Sequence, residues 1–125
     1  MNHYGYIKIA CASFPLALAN VKENGTQLLN TLNQFSEDTR MVVFPELCLT
    51  GSTCNDLFWQ QSLLKACLDG LNSILEANTS EALLLIGLPF KHQNQLYDCV
   101  AVVLKNQIVA MIPKTKVSTD QQRWF

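Results

Sequence analysis

Residues 41–56 read MVVFPELCLTGSTCND: a short apolar run, a proline, a glutamate and then a polar loop. An apolar run bounded in this way is typical of a buried strand, and Pro45 ends it because proline cannot donate to a strand ladder. Asn55 or Asp56, at the end of the loop, can cap a helix. The stretch therefore predicts a strand, a turn that carries Glu46, and a helix behind it.

The sequence before this stretch predicts a strand and a helix. Residues 7–14 are almost continuously apolar, which is typical of a strand covered on both faces. Asn20, with Glu23 three residues later, resembles a capping box. Apolar residues then recur at helical spacing, so we expect an amphipathic helix over residues 20–36.

The sequence after this stretch predicts a second helix and three more strands. The apolar face expected for the helix is made of Leu64, Cys67, Leu68, Leu71, Ile74 and Leu75. Residues 82–88 form a third predicted strand, which we expect Pro89 to close, and the polar residues 92–95 form a turn. A hairpin should follow, with strands at residues 96–104 and 108–112. The predicted order β-α-β-α-β-β-β is an α/β fold in which helices pack against a mixed sheet.

Composition excludes several classes of protein. The chain has 125 residues, of which 49% are apolar, so it is the size of one domain with a sizeable core. Nine Lys and Arg against ten Asp and Glu give a net charge of −1, which argues against a nucleic-acid or anionic-membrane partner. No apolar run is long enough to span a membrane, and no leader pattern precedes Tyr6, so we expect a cytoplasmic protein. Only 15% of the residues are charged, which predicts that part of the surface meets another chain.

The five cysteines form no C-x-x-C pair, and His3 and His92 lie far from all of them, so we expect no metal site. An odd number of cysteines without a leader indicates free thiols in a reducing compartment. Cys11 and Cys99 lie in predicted strands and Cys67 on an apolar helix face, so all three are interpreted as core residues. Cys48 and Cys54 flank the glutamate motif.

Two charged residues follow two strands in the same way. Glu46 comes after Val-Phe-Pro and Lys114 after Met-Ile-Pro, so each charge is delivered to the rim of the sheet by a proline. Functional side chains of open α/β sheets gather at such strand ends. From spacing alone, an ion pair that marks the strand ends is the simpler interpretation, and a shared catalytic pocket is the alternative. Burial would raise the pKa of the glutamate and lower that of the lysine, and their attraction would oppose both shifts.

The stretch from Val42 to Phe58 resembles the first active-site motif of the nitrilase, or carbon–nitrogen hydrolase, superfamily, in particular the glutaminase domain of glutamine-dependent NAD synthetases. Further segments match the same template in the same order: residues 4–10, Gly87-Leu88-Pro89, Pro113-Lys114 and Arg123-Trp124-Phe125. The resemblance implies that residues 1–125 are a partial carbon–nitrogen hydrolase (glutaminase) domain, and hence part of a four-layer αββα sandwich.

The resemblance also implies a Glu-Lys-Cys catalytic triad. In it Glu46 is the general base, Lys114 is the cation that stabilises the tetrahedral intermediate, and the nucleophilic cysteine lies on a strand further along, whereas this chain ends at Phe125. The implied substrate is glutamine or another small amide, with the ammonia used in ATP-dependent NAD synthesis from deamido-NAD. No cofactor is expected within this chain, because ATP and Mg belong to the absent synthetase domain. We expect the isolated chain to be inactive.

Two departures from the family pattern keep alternatives open. Ser52 stands where the synthetases usually have a tyrosine, and the segment after Lys114 is short and lacks a second tyrosine and a second glutamate. Asp120 could replace that acid. The alternatives are a non-catalytic remnant or interaction module of the same fold, or a nitrilase-type amidase acting on another small amide. With half of a sandwich, we expect a homo-oligomer or a partner that completes it.

Overall fold

The computed structural model describes residues 4–125, so His3 and the first half of the N-terminal segment 1–6 lie outside the described residues. Five strands and two α-helices follow one another in the predicted order β-α-β-α-β-β-β. Their bounds are β1 Lys8–Cys11, α1 Val21–Leu32, β2 Thr39–Val43, α2 Gln61–Ala77, β3 Leu83–His92, β4 Gln95–Leu104 and β5 Gln107–Pro113. A short 3₁₀ helix, Asn55–Trp59, precedes α2.

The five strands form one mixed sheet in the order β1-β2-β3-β4-β5. β1, β2 and β3 are parallel, joined by α1 and α2, whereas β3, β4 and β5 are antiparallel and joined by tight turns. Gln93 and Asn94, between β3 and β4, both have positive φ, which is the geometry of a two-residue hairpin turn. The predicted mixed sheet and the turn at residues 92–95 are confirmed.

Both helices pack against the same face of the sheet. Side chains that alternate along the strands meet them in one buried cluster, which includes Val42, Leu84, Ile86, Leu88, Ala101 and Val103. The intervening side chains point to the other side, where no helix among residues 4–125 covers them. We call this side the open face; it carries Ile9, Met41, Val43, Leu85, Val100 and Ile112.

The prediction that the first strand is covered on both faces is wrong. β1 is an edge strand that pairs only with β2, and only its helix-facing side reaches the core through Ala10. Ile9 on the open face is 50% exposed, and Cys11 is exposed rather than part of the core. An apolar run therefore indicated a strand but not how many neighbours cover it.

α2 differs from the prediction at its start and in its buried face. Asn55 begins the 3₁₀ helix rather than capping α2, which starts after Gln60 without a side-chain cap. The buried stripe consists of Leu63, Cys67, Leu71 and Ile74. Leu68, expected in the core, is 42% exposed because it lies beside that stripe rather than on it.

Pro89 does not close the third strand as predicted. β3 continues to His92 because β4 pairs with it along its whole length. On the other side, β2 pairs only with residues 83–85 of β3, so at Pro89 there is no neighbour that needs a donated hydrogen bond. Proline is tolerated where a strand has lost one partner in this way.

The start of α1 is as predicted. Asn20 accepts a hydrogen bond from the Glu23 N–H at 3.1 Å, which satisfies one of the free donors of the first turn. The Glu23 carboxylate binds Gln27 instead of returning to the cap, so only half of the capping box is present.

Two glycines at the contact between α1 and α2 should respond to alanine in opposite directions. A Cβ on Gly25 would make an ordinary contact with Ile74 at 3.8 Å, so Gly25→Ala should stabilise the protein by about 1 kcal/mol through helix propensity. A Cβ on Gly70 would lie 2.6 Å from Val21 Cγ1, and a β-branched side chain in a helix cannot swing away.

We therefore expect Gly70→Ala to destabilise the protein by roughly 1–2 kcal/mol, measured by urea unfolding followed by circular dichroism. Equal stabilisation by both substitutions would show that the helices do not approach as closely as described.

Candidate active site

The turn that carries Glu46 lies directly on the backbone of β3. Ile86 and Leu88 point to the helices, so a Cβ on Gly87 would point to the open face. It would meet Leu47 N at 2.5 Å and Pro45 O at 2.6 Å, both backbone atoms. Glycine is required at position 87 because no side chain fits between these two segments.

A strained residue continues the turn. Leu47 has φ 52°, in the left-handed region that costs a non-glycine residue about 1 kcal/mol or more. Its side chain is fully buried, and its carbonyl accepts a hydrogen bond from Gly51 N at 2.7 Å. Burial and hydrogen bonding thus hold the turn in a conformation that fixes where Glu46 leaves the backbone.

Asn24 ties this turn to α1. It is completely buried, and its amide donates to Leu49 O at 2.9 Å and to Ala17 O at 2.8 Å, while its oxygen accepts from Ala17 N. All the strong hydrogen-bonding groups of the side chain are used, so the turn and the first helix are held as one unit. No pattern in the sequence indicated that this asparagine is buried.

Lys114 reaches Glu46 from the end of β5. Its N–H donates to Asp98 O at 2.8 Å, which continues the β4–β5 ladder by one step. Its Nζ donates to Glu46 Oε1 at 2.7 Å and to Gln121 Oε1 at 3.1 Å. The two charged residues that follow prolines are therefore in direct contact, with side chains 47% exposed for Glu46 and 35% for Lys114.

A third ionisable group, which sequence reasoning missed, joins this pair. Asp98 lies in β4 opposite Pro89 and is only 4% exposed. Its carboxyl group lies beside that of Glu46, and each of the two perturbs the pKa of the other. A single acidic residue in the apolar strand at residues 96–104 was the signal that could have identified it, since charged residues are rarely buried without a partner.

Attraction, rather than burial, governs the pKa values of the exposed pair. Hydrogen bonds from Asp98 and from Lys114 lower the pKa of Glu46, and the hydrogen bond to Glu46 raises the pKa of Lys114. Asp98 behaves differently: burial, then the neighbouring Glu46, raises its pKa to about 7. Glu46 is thus ionised and Lys114 protonated at neutral pH, which makes them an acceptor of protons and a fixed cation.

The thiols of the described residues are not paired with Glu46 or Lys114. Cys48, Cys54, Cys67 and Cys99 are buried, and burial raises the pKa of each, to about 12 for Cys48 and Cys67. They are therefore not nucleophilic thiolates at neutral pH. Within residues 4–125, no thiol hydrogen-bonds with Glu46 or Lys114, and the exposed Cys11 lies on β1, two strands away from Gly87.

The segment after Lys114 folds back beside it. Gln121, rather than the exposed Asp120, supplies the second contact to the lysine. The final aromatic residues pack on Phe58, with ring centroids 5.0 Å apart for Phe125, and Trp124 Nε1 donates to Asp56 at 3.2 Å. A cleft of about 670 Å³ lies between this segment and the β3–β4 hairpin; Lys114 is one of the residues that line it, and Glu46 is not. It is large enough for a small amide.

Over the described part of the chain, no three His, Cys, Asp or Glu side chains are grouped so that they could hold a metal ion. None of the helices there combines the length and the apolar character needed to cross a bilayer.

Comparison with known proteins gives relatives of one kind. No family model matches the chain. Glutamine-dependent NAD(+) synthetase of Mycobacterium tuberculosis is 25% identical over 121 residues, which is 95% of this chain and 18% of the relative. The chain thus spans about a fifth of the length of the curated relatives it matches.

Solved structures of the same and a related group share the fold. A glutamine-dependent NAD(+) synthetase from Cytophaga hutchinsonii superposes with a TM-score of 0.88 at 22% identity, covering 95% of this chain and 21% of that one. A nitrilase-superfamily amidase from Nesterenkonia gives 0.77 at 15% identity, covering 94% and 47%. The predicted resemblance is confirmed: the relatives are glutamine-dependent NAD synthetases, and the fold matches part of the fold of a nitrilase-superfamily amidase.

The approach of the turn to Gly87 can be tested directly. Gly87→Ala would push a methyl group into the backbone of Pro45 and Leu47, which cannot move as a flexible side chain can. We expect a loss of roughly 1–3 kcal/mol in the free energy of unfolding, measured in urea, together with loss of the Glu46–Lys114 contact in the NMR spectrum. Gly25→Ala is the control with the same added methyl group. An unchanged stability and spectrum for Gly87→Ala would contradict the described approach.

Proposed function

We propose that this chain is the N-terminal part of a glutamine amidotransferase (glutaminase) domain, which hydrolyses glutamine to supply ammonia for NAD synthesis. In this proposal residues 1–125 are a partial carbon–nitrogen hydrolase domain that acts in the cytoplasm. The contact between Glu46 and Lys114, at two strand ends of a nitrilase-type fold, is the observation that carries the proposal. The relatives, which are named as glutamine-dependent, support glutamine as the substrate.

In the proposed reaction Glu46 is the general base. Its carboxylate is ionised and half exposed, so it can accept the proton of a thiol or of a water molecule. A base within hydrogen-bond reach of the nucleophile accelerates proton transfer by about 10²–10⁴-fold. The lowered pKa of Glu46 favours the ionised form at the expense of base strength.

Lys114 is the proposed electrostatic stabiliser. Its ammonium group is held by Glu46 and Gln121, and Lys114 lines the cleft, so its positive charge can stabilise the oxyanion of a tetrahedral intermediate there. Interactions of this kind lower a barrier by about 3–4 kcal/mol because the charge is already in position before the reaction.

The nucleophilic cysteine is proposed to come from a polypeptide segment that packs on the open face. Four of the five thiols in this chain are buried and protonated, and none contacts the pair. The Nesterenkonia amidase is about twice as long as its matched part, and sheets that pack face to face bury apolar rows such as Ile9, Val43 and Val100. A partner that completes the sandwich, or a second copy of the chain, would cover these residues.

The synthesis of NAD itself would take place elsewhere. ATP and Mg²⁺ would belong to a synthetase domain outside this chain. No step of the proposed amide hydrolysis is assigned to a cofactor.

One observation favours a second candidate, an amidase for another small amide. The second partner of Lys114 is the neutral amide of Gln121, and Ser52 replaces a tyrosine of the resembling family. Both changes lie near groups that the resemblance associates with glutamine, so they could alter which amide is accepted. The third hypothesis is that the chain keeps the fold as an interaction module but has lost catalysis.

The function can be tested by ammonia release from glutamine, for the chain alone and for a chimera. In the chimera this chain replaces the matching segment of the Mycobacterium tuberculosis relative, which supplies the rest of the domain. We expect no turnover by the chain alone. The chimera should release ammonia, and Glu46→Gln or Lys114→Met should reduce its rate by at least about 100-fold. Lys65→Met, which breaks an exposed pair with Asp69, is the matched control.

Two outcomes would contradict this proposal. Turnover by the chain alone that is abolished by Glu46→Gln would place the nucleophile within it, and Cys11→Ser would then identify the exposed thiol as that group. A folded, active chimera that tolerates Glu46→Gln would remove Glu46 from catalysis, and activity only on other short amides would favour the second candidate.

The open face predicts self-association of the isolated chain. Ile9, on the open face, and Leu68, on the outer side of α2, are similarly exposed at 50% and 42%. In sedimentation at tens of micromolar we expect association of the parent chain, weakened by Ile9→Lys because a charge cannot be buried between sheets. Leu68→Lys should change nothing. A well-behaved monomer, or equal effects of the two substitutions, would contradict a role for this face.

A further inference from the structure

Asp98 is a buried carboxyl group with an incomplete set of partners. It is 4% exposed, and its Oδ2 is buried without any donor among residues 4–125. Lys114 gives its Nζ hydrogen bonds to Glu46 and Gln121 instead. An ionised carboxylate can only accept hydrogen bonds, so a buried oxygen without a donor carries a large desolvation cost.

The backbone brings the Asp98 and Glu46 carboxyl groups together. The turn around Glu46 rests on the open face at Gly87, which pairs with Val100. Asp98 is the next residue of β4 on that same face, opposite Pro89, and its carbonyl binds the N–H of Lys114. Two carboxyl groups and one ammonium group therefore occupy a single corner of the sheet.

Two carboxyl groups in contact satisfy each other only if one of them is protonated. Glu46 is the more exposed of the two and is paired with the ammonium group, so it takes the negative charge. Asp98 is the more deeply buried, so it keeps the proton. The Oδ2 without a donor then becomes a donor itself, and the buried group is satisfied.

We propose that Asp98 is a positioning residue whose protonated carboxyl group donates a hydrogen bond to Glu46 and so orients the general base beside Lys114. The shared corner of the sheet and the buried Oδ2 without a donor support the positioning of Glu46 by Asp98, whereas the role of Glu46 as a base rests on the proposed function. The corner then has one negative and one positive charge, and it gains a second negative charge when Asp98 loses its proton.

Asp98 can lose this proton within the physiological pH range. The pKa of Asp98 is raised to about 7 by burial and by Glu46. The ionisable groups around it are Glu46 on the turn, Lys114 at the end of β5 and Cys99 beside it in β4, and Pro89 opposite it in β3 carries no charge. Ionisation removes the donor that lowers the pKa of Glu46, so Glu46 becomes a stronger but less firmly held base above neutral pH.

Because of the Asp98 proton, the free energy of unfolding depends on pH. A pKa of 3.8 in the unfolded chain and about 7 in the folded one means that the folded state binds more protons between these values. The contribution of Asp98 is fully present below pH 3.8 and is lost as the pH rises through about 7. Glu46 acts in the opposite sense, because its lowered pKa gives stability that is lost only as acid protonates it, below its unfolded value of 4.5.

The test is a ¹³C NMR titration of the side-chain carboxyl groups of the whole chain, with urea unfolding from about pH 5 to about pH 9. Asp98→Asn keeps a donor to Glu46 but cannot ionise. Asp38→Asn, which removes an exposed carboxylate bound to Lys8 and Ser36, is the matched control. We expect one carboxyl signal with a midpoint near 7 in the parent and in Asp38→Asn, and none in Asp98→Asn.

The urea midpoint should fall across neutral pH in the parent and in Asp38→Asn, and this fall should be much smaller in Asp98→Asn. In the active chimera, Asp98→Asn should remove an inflection near pH 7 from the rate profile, an effect that a purely structural role would not produce.

The proposal is overturned if every carboxyl carbon of the parent chain titrates below about pH 5, or if the signal near 7 persists in Asp98→Asn. The titration of the parent chain tests the proposal even if Asp98→Asn does not fold, because it shows whether any carboxyl group titrates near pH 7. The carboxyl titration needs no catalytic activity, so an inactive chimera with an intact titration near 7 contradicts the proposed function and leaves the shared proton in place.

Discussion

The contact between the backbone of β3 at Gly87 and the turn Pro45–Leu47 is the constraint on which the site depends. The two segments approach so closely that no side chain fits between them, and Leu47 adopts a left-handed conformation to complete the turn. Burial of the Leu47 side chain and the hydrogen bonds of Asn24 offset this strain. As a result Glu46 leaves the backbone above the open face, within reach of β4 and β5.

The electrostatics of the corner follow from unequal burial. Glu46 and Lys114 remain partly hydrated, so their mutual attraction outweighs desolvation and both stay charged. Asp98 is almost completely buried, so its carboxyl group lacks that hydration and is more stable with its proton. Three ionisable groups thus divide into one ion pair and one neutral acid according to depth, and the neutral acid is the group that responds to pH near neutrality.

Among residues 4–125, helices cover only one of the two faces of the sheet. Both helices and the main core lie on one face, while the other shows an apolar row that ends at the charged corner. In the superposed amidase this chain matches a little less than half of the molecule. The exposed apolar row on this face agrees with the low content of charged residues in the sequence.

The sequence by itself determined the order of the elements, the helix start at Asn20, the hairpin turns, and the two prolines that deliver Glu46 and Lys114. These features depend on local periodicity, capping and turn chemistry, which a short stretch of chain contains. Only the tertiary structure decided that β1 is an edge strand, that β3 continues through Pro89, and that Asp98 is buried beside Glu46. Each of these depends on which strand lies next to which, and residues 46, 98 and 114 become neighbours only when the sheet is assembled.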